Sequence, residues 1–440
     1  MGLFGIKMNN TEVERIEASL DRDWVVSLEN RLSDTNSRDR YIEPTIYRVS
    51  DILKSVDPQA YEPLIVSLGP YHRDKPHLQA MNHRKRKSVK FVLEQNPGVA
   101  LADYLDRIKD LETIARDVYS EEVEMTSNSF AEMMLLDGCF VIHTIMEGHT
   151  RRTRNVVVRD IFMLENQLPF ILLETLFESA FGGRRYDFRY ITFEFICMHF
   201  SSNLKRPSDN DFFHHIIHLF LSCIDPTTNH YNGNVRDANP EEGLPVPELS
   251  WIPSATVFNK AGIRFERKET DKGFLDITFH NGKLEIPQLQ IDGLTNSLLR
   301  NLVAYEQYST DSKFHVTSYV VLMDYLINTA ADVELLQHHE IIISSIGDNQ
   351  EIATLFNKLG TYVSKSDDSY LKGVVIAMKK HYDTRYSKWR ARLNHNYFGL
   401  NHDFFSNPWA VISLFGALCL FVLTVIQSTF TILSYFLPPK

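Results

Sequence analysis

The chain has 440 residues, 44% of them hydrophobic and 23% charged, with a formal net charge of −10. That composition belongs to a packed protein and excludes a disordered one, and the length suits roughly two to three domains or one large unit. The acidic balance argues against general affinity for nucleic acid, which needs a concentrated basic surface to neutralise phosphates.

Residues 1–40 are polar and form an arm, with one amphipathic turn around Trp24-Val25-Val26 and little other fixed structure expected. The arm has no apolar core for a signal peptide, and Ile6 stands where a myristoylated Gly2 would call for Ser or Thr. Cysteines stand far apart at 139, 197, 223 and 419, which excludes a disulfide framework and fits a reducing compartment.

A mostly helical globular domain is expected over 41–395. Near its start Pro58, Pro63 and Pro70 lie among apolar residues, and Ile65-Val66-Ser67-Leu68-Gly69-Pro70 reads as a short strand entering a turn. Met81 to Gln95 reads as a helix. Apolar positions at three- and four-residue spacing then predict helices from Leu101, from Phe130, and from Asp160 into Phe177. Two more are expected over 191–200 and 212–223, before an exposed loop at 225–248 rich in Asn, Pro and Gly.

After that loop the period changes from helix to strand. Leu275, Ile277 and Phe279 alternate, His280-Asn281-Gly282-Lys283 turns, and Leu284 and Ile286 alternate again, which predicts a β-hairpin over 274–287. Its register sets Phe279 opposite Leu284 and Ile277 opposite Ile286. Helices return over 297–307, 317–329 and 348–359, the last opened by Asp348 and Glu351 as a capping box and closed before Gly360. A basic aromatic helix follows over 370–394, then a linker over 396–408.

Between Asp403 and Lys440 no side chain is charged. Residues 409–436 as a helix would run about 42 Å against a hydrocarbon core of roughly 30 Å, with Trp409 and Tyr435 placed for the two interfaces. This reads as a single transmembrane helix inserted after release from the ribosome. Lys379, Lys380, Arg385, Lys388, Arg390 and Arg392 precede it and Lys440 alone follows, so the positive-inside rule predicts a cytosolic domain on a plasma membrane or endomembrane. Ser413 and Ala417 make a small-xxx-small spacing, and Gln427 offers a polar group, so a homodimer through this helix is one possibility.

A series of strings in fixed order resembles a known plant family. It runs from Ile46-Tyr47-Arg48-Val49 and Val66-Ser67-Leu68-Gly69-Pro70-Tyr71 through Asp137-Gly138-Cys139-Phe140 and Glu165-Asn166-Gln167-Leu168-Pro169-Phe170. It continues with Phe274-Leu275-Asp276-Ile277 and Arg300-Asn301-Leu302-Val303-Ala304-Tyr305-Glu306-Gln307, and closes with Asn407-Pro408-Trp409-Ala410 and Leu423-Thr424-Val425-Ile426-Gln427. Over about 41–436 the chain resembles the family called domain of unknown function 247. Asn82 departs from the pattern, which has Glu there. The resemblance implies a plant single-pass membrane protein without established activity; certain grass members are implicated as self-incompatibility determinants, a recognition role.

Four clusters bear on chemistry. Asp137, Glu165, Asn166 and Gln167 are polar residues set between apolar runs, and Pro169 must break the helix there. Polar groups inside a core need partners, so a structural hydrogen-bond hub is the simpler reading and a catalytic hub the bolder one. Cys139 and His143 share a helical face and would suit a nucleophile, but apolar flanks raise a thiol's pKa. His214 and His218 have a zinc-compatible spacing but lack the Glu of metalloprotease helices. His83-Arg84-Lys85-Arg86-Lys87 reads as a solvated face or a nuclear address.

The fold class expected is mainly α with a small β-hairpin element (α+β) and a C-terminal transmembrane helix. The function expected is membrane-tethered protein recognition or signalling with protein partners, without catalysis, bound metal or cofactor. The alternatives are a membrane-anchored hydrolase using Cys139 and His143 or a zinc site, and a nuclear regulator.

Overall fold

The computed structural model describes residues 24–29, 43–148, 155–182, 187–200, 204–208, 210–227, 252–364, 369–384 and 408–436. Among them the protein is mainly helical with a few short strands. Helix α1 (Asp51–Val56) and two 3-10 turns, Pro58–Tyr61 and Pro76–Met81, bracket an irregular stretch. Then come α2 (Asn82–Gln95), α3 (Leu101–Asp110), α4 (Glu112–Asp117), α5 (Ser127–Gly148) and α6 (Asn155–Ile161). A 3-10 turn at Leu164–Asn166 precedes α7 (Phe170–Phe181), α8 (Phe188–His199) and α9 (Ile216–Ile224).

Helix α5 is the axis of this half and packs against α2, α3, α7 and α8. Its 22 residues are apolar nearly all round because neighbours cover it on several sides. Gly138 permits the closest crossing: a Cβ there would lie 2.5 Å from Leu176 Cδ1 on α7.

The second half begins with α10 (Ala255–Lys260) and a sheet of β1 (Arg264–Lys268), β2 (Thr278–His280) and β3 (Lys283–Pro287) in the order β1-β3-β2. The hairpin forms with Phe279 opposite Leu284, and Asn281 and Gly282 both take positive φ, at 52° and 75°. Ile277 lies just before the ladder and is buried, as are Leu284 and Ile286. Strand β1 runs parallel along the other side of β3. Its sequence, Arg-Phe-Glu-Arg-Lys, holds a single apolar residue and so carries no strand period to read.

Strand β4 (Leu289–Ile291) pairs in parallel with β5 (Ile342–Ser344); of the helices α11 (Thr295–Tyr308), α12 (His315–Leu326), α13 (Ala330–His338) and α14 (Asn349–Leu359), α13 packs on β5, and α14 packs on α11, α12 and α13. The helix expected over 317–329 therefore stops earlier, and α13 is an addition. Thr329 and Asp332 start it by a reciprocal cap. Asp348 caps α14 by accepting from the Gln350 amide, and Gly360 follows with an ordinary φ of −82°, not a left-handed one.

Three further expectations change. Residues 65–70 are not a β-strand, because they pair with no other strand. The helix expected to run from Asp160 is two helices: the first ends at Ile161, a 3-10 turn spans Leu164–Asn166, and Pro169 stands at the N-cap of the second. The basic helix is described as α15 (Lys372–Asp383), which carries Lys379 and Lys380; Arg385, Lys388, Arg390 and Arg392 lie outside the described residues. So do most of the arm, positions 228–248 of the loop and most of the linker, although the turn at Trp24 is helical over 24–29.

The last element, α16 (Pro408–Phe436), is 29 residues long, or about 44 Å. Its described large apolar side chains, from Ile412 to Phe430, are 45–69% exposed.

Replacing Gly138 by Val should destabilise the domain by about 2 kcal/mol through overpacking at the α5–α7 crossing. Ala should cost less, since the tip of Leu176 can move aside. Denaturant midpoints check this, and equal midpoints for wild type and Gly138→Val would refute the close crossing.

Candidate functional site

The irregular stretch after Pro58–Tyr61 runs through the core, where every backbone amide and carbonyl needs a partner. With no strand alongside, side chains supply them. Asp160, at the end of α6, accepts from the amides of Leu64, Ile65 and Val66 at 3.0, 2.8 and 3.0 Å. Asn166 accepts from Leu68 N at 2.6 Å while its amide donates to the carbonyl oxygens of Val66 and Asp160. Asp137 on α5 accepts from Gly69 N at 2.9 Å, and Lys85 on α2 donates to Ser67 O at 2.6 Å. The segment 62–70 is thus held as a bound peptide would be.

Further contacts anchor both ends. Arg159 donates to the Glu62 and Gln59 carbonyl oxygens, and Ser297 and Asn301 of α11 both donate to Ala60 O. Asn301 also accepts from Leu164 N at 2.9 Å. Gly69 has φ +71°, and a Cβ on it would meet the Tyr119 hydroxyl at 2.9 Å and the Gln167 carbonyl oxygen at 3.1 Å. Only glycine suits that position.

Glu165 ties in the segment before α1. Its carboxylate accepts from Val49 N at 2.7 Å and from Lys54 at 2.6 Å, with Arg48 Nη1 at 3.3 Å and His72 Nε2 at 3.2 Å. Burial opposes ionisation, but the nearby His72 ring, the Lys54 ammonium and the Val49 amide outweigh it and hold the carboxyl at about 2. Gln167 donates to the Ile161 and Met163 carbonyl oxygens and accepts from Ile217 N. Burial pushes the Asp137 and Asp160 carboxyls above the usual aspartate value, opposed at Asp137 by Lys85 and at Asp160 by the three amides.

The four residues singled out as a hub are all buried, but they hold three places: Asp137 and Asn166 bond to the backbone of 66–69, Glu165 to the segment before α1, and Gln167 to Ile161, Met163 and Ile217. Sequence reasoning missed their partners Asp160, Arg159, Asn301 and Lys85. Lys85 stands in the basic run 83–87, yet it turns inward to Asp137 at 2.5 Å while Arg84, Arg86 and Lys87 face out. The available signal was its position: on a helix, 85 lies on the face of Ser88 and Val92, both buried.

The other clusters are arranged differently. Cys139 is buried in apolar surroundings that push its thiol up to about 12. His143 stacks on Phe91 and lies 3.0 Å from the Ser88 hydroxyl, and no hydrogen bond joins it to Cys139. His214 and His218 do come together, with ring centroids 4.8 Å apart, but among the described residues no group of three His, Cys, Asp or Glu could hold a metal. The His218 ring serves the backbone instead, its Nδ1 accepting from His214 N, while His218 N donates to Nδ1 of fully buried His215. A cavity of about 380 Å³ lies elsewhere, lined by His199, Phe200, Phe220, Arg267, Leu289 and Leu298 among others.

Fold and hub together define a mainly helical domain whose most concentrated polar chemistry holds its own chain. The sequence profile described as plant protein of unknown function, domain of unknown function 247, matches residues 46–423, and the chain belongs to that family. It is 29% identical over 428 residues to a UPF0481 protein of Arabidopsis thaliana, covering 89% of this chain and 86% of that one. It is 22% identical over 532 residues to a putative UPF0481 protein of the same plant, covering 98% of each. No solved structure matches it.

Asp160→Ala should leave the Leu64, Ile65 and Val66 amides unpaired, the last of them fully buried, and cost about 3 kcal/mol. Hydrogen exchange at Leu64, Ile65 and Val66 should accelerate by more than that at α5; uniform acceleration across the domain would count against a local clamp.

Acid should act in two steps. Burial and His214 hold the His218 imidazole at about 4, against 6.5 ordinarily. The unfolded chain therefore binds the extra proton in that window, and stability falls as pH drops through it. Glu165 contributes stability above 4.5 that is lost toward about 2. Urea midpoints measured against pH should fall through both windows, and His218→Phe should lessen the upper fall, to which depressed imidazoles such as His143 and His214 also contribute, without altering the Glu165 window.

Proposed function

We propose that the protein is a membrane-tethered recognition or signalling protein that performs no chemistry of its own. The observation that carries this reading is α16. It lacks any charged residue, is long enough to cross a bilayer, and leaves large apolar side chains without protein cover. Helix α5 is an instructive contrast. It too is apolar and long enough to span, but its side chains are the core of the domain, whereas those of α16 are not. The family match extends to residue 423, into α16, so this helix is in part a family feature.

Trp409 and Tyr435 lie near the two ends of α16, where aromatic residues favour the interfaces. Lys379 and Lys380 of α15, with Arg385, Lys388, Arg390 and Arg392, favour a cytosolic domain, each adding about 1 kcal/mol beside an anionic leaflet. Ser413 and Ala417 support pairing of two such helices in the bilayer. Recognition is favoured over catalysis because the hub's carboxylates are engaged with backbone and cations, and the Cys139 thiol is inert. A self-incompatibility role would be one case of such recognition.

Replacing Leu420 and Leu423 by Arg adds about 2.5–3.5 kcal/mol per residue at mid-membrane. The doubly substituted protein should move to the alkaline-soluble fraction while wild type stays with membranes. Wild type in the soluble fraction would sink the tether. On sealed microsomes, added protease should digest 41–395, and protection of that region would reverse the orientation.

A further inference from the structure

A shallow apolar groove of about 420 Å³ runs between α2, α3 and α5. Val89, Leu101, Leu105 and Leu135 line it, and Leu101 is 45% exposed. Its rim is basic: Arg86 and Lys109 line it, against Glu132 as the single acid among the lining residues. Arg84, Lys87 and Lys90 extend the same charge along α2, whose only acid is Glu94, 3.8 Å from Lys90.

The chain carries a segment of complementary chemistry. Val13, Ile16, Leu20, Trp24 and Leu28 recur at three- and four-residue spacing, which puts them on one face of a helix. The segment holds six acids against Arg15 and Arg22: Glu12, Glu14, Asp21, Asp23 and Glu29 flank the stripe, and Glu17 falls within it. The described end of this segment, 24–29, is helical, and Trp24 is 60% exposed.

Attachment also fits. Thr45 and Ile46 donate to Val118 O, which pins the chain beside the link from α4 to α5, close in sequence to two of the groove's three walls. The intervening residues 30–42 can reach roughly 45 Å when extended.

We propose that residues 11–29 form an acidic amphipathic helix that docks into the α2–α3–α5 groove of the same chain. The apolar stripe fills the groove and the acids face the α2 cations, as in other helix-in-groove complexes. This goes beyond the functional reading above and does not depend on it.

The test uses full-length protein in nanodiscs with benzoylphenylalanine in place of Trp24. Irradiation should link position 24 to peptides of α2, α3 or α5 at monomer mass. Leu101→Asp or Arg86→Glu should each reduce that yield at least threefold, and added salt should reduce it too. Because Leu101 and Arg86 are accessible, both variants should keep the wild-type circular dichroism spectrum. Links at dimer mass would make the occupant a second copy, and links to lipid would make it the membrane. Either result, the absence of a specific peptide, or a yield indifferent to both substitutions would overturn the proposal.

Discussion

An extended backbone without a strand beside it cannot lie in a protein core unless something else satisfies its amides and carbonyls. Here the carboxylate of Asp160 takes three consecutive amides, and Asn166, Asp137 and Lys85 satisfy the Leu68 and Gly69 amides and the Val66 and Ser67 carbonyl oxygens. Much else in this half of the domain depends on that arrangement. The acids must be buried, so cations must be buried with them, which is why Lys85 leaves the solvated face of α2. The helix carrying Asp160 must stop near it so that Asn166 can reach the same segment, and the 3-10 turn before Pro169 provides the change of direction.

The clamp also links the two halves. Asn301 and Ser297 reach from α11 to the Ala60 carbonyl oxygen, and Asn301 takes the Leu164 amide as well. One residue thus touches the threaded segment, the turn that holds it and the second group of helices. Removing a member of such a network leaves its partners buried and unpaired, so the cost exceeds the worth of one hydrogen bond. Charged groups committed in this way are poorly placed for chemistry on a substrate. Among the described residues, the groove between α2, α3 and α5, the 380 Å³ cavity and the side chains of α16 remain open.

Local periodicity made much of this protein legible from its sequence. The main helices, the hairpin with its Asn281-Gly282 turn and the break at Pro169 come from spacing and from residues with restricted or permissive φ. The uncharged C-terminal run and the family-like strings could be read in the same way. The strings also pointed to Asp137, Glu165, Asn166 and Gln167 as polar residues needing partners.

Who those partners are was decided only by tertiary structure. Asp160 and its amides stand more than 90 positions apart, and Asn301 and Ala60 are 241 apart. No periodicity spans such separations, because a hydrogen bond made by a side chain leaves no repeat behind it. The same limit explains why 65–70 looked like a strand: extended geometry was legible, but whether a strand or a row of side chains would satisfy it was not. His214 and His218 share a face by spacing alone, yet only the folded backbone shows His218 Nδ1 taken up by the His214 amide. The sequence therefore determined which segments would be helical, turned or apolar, while folding decided which buried charge would hold which stretch of chain.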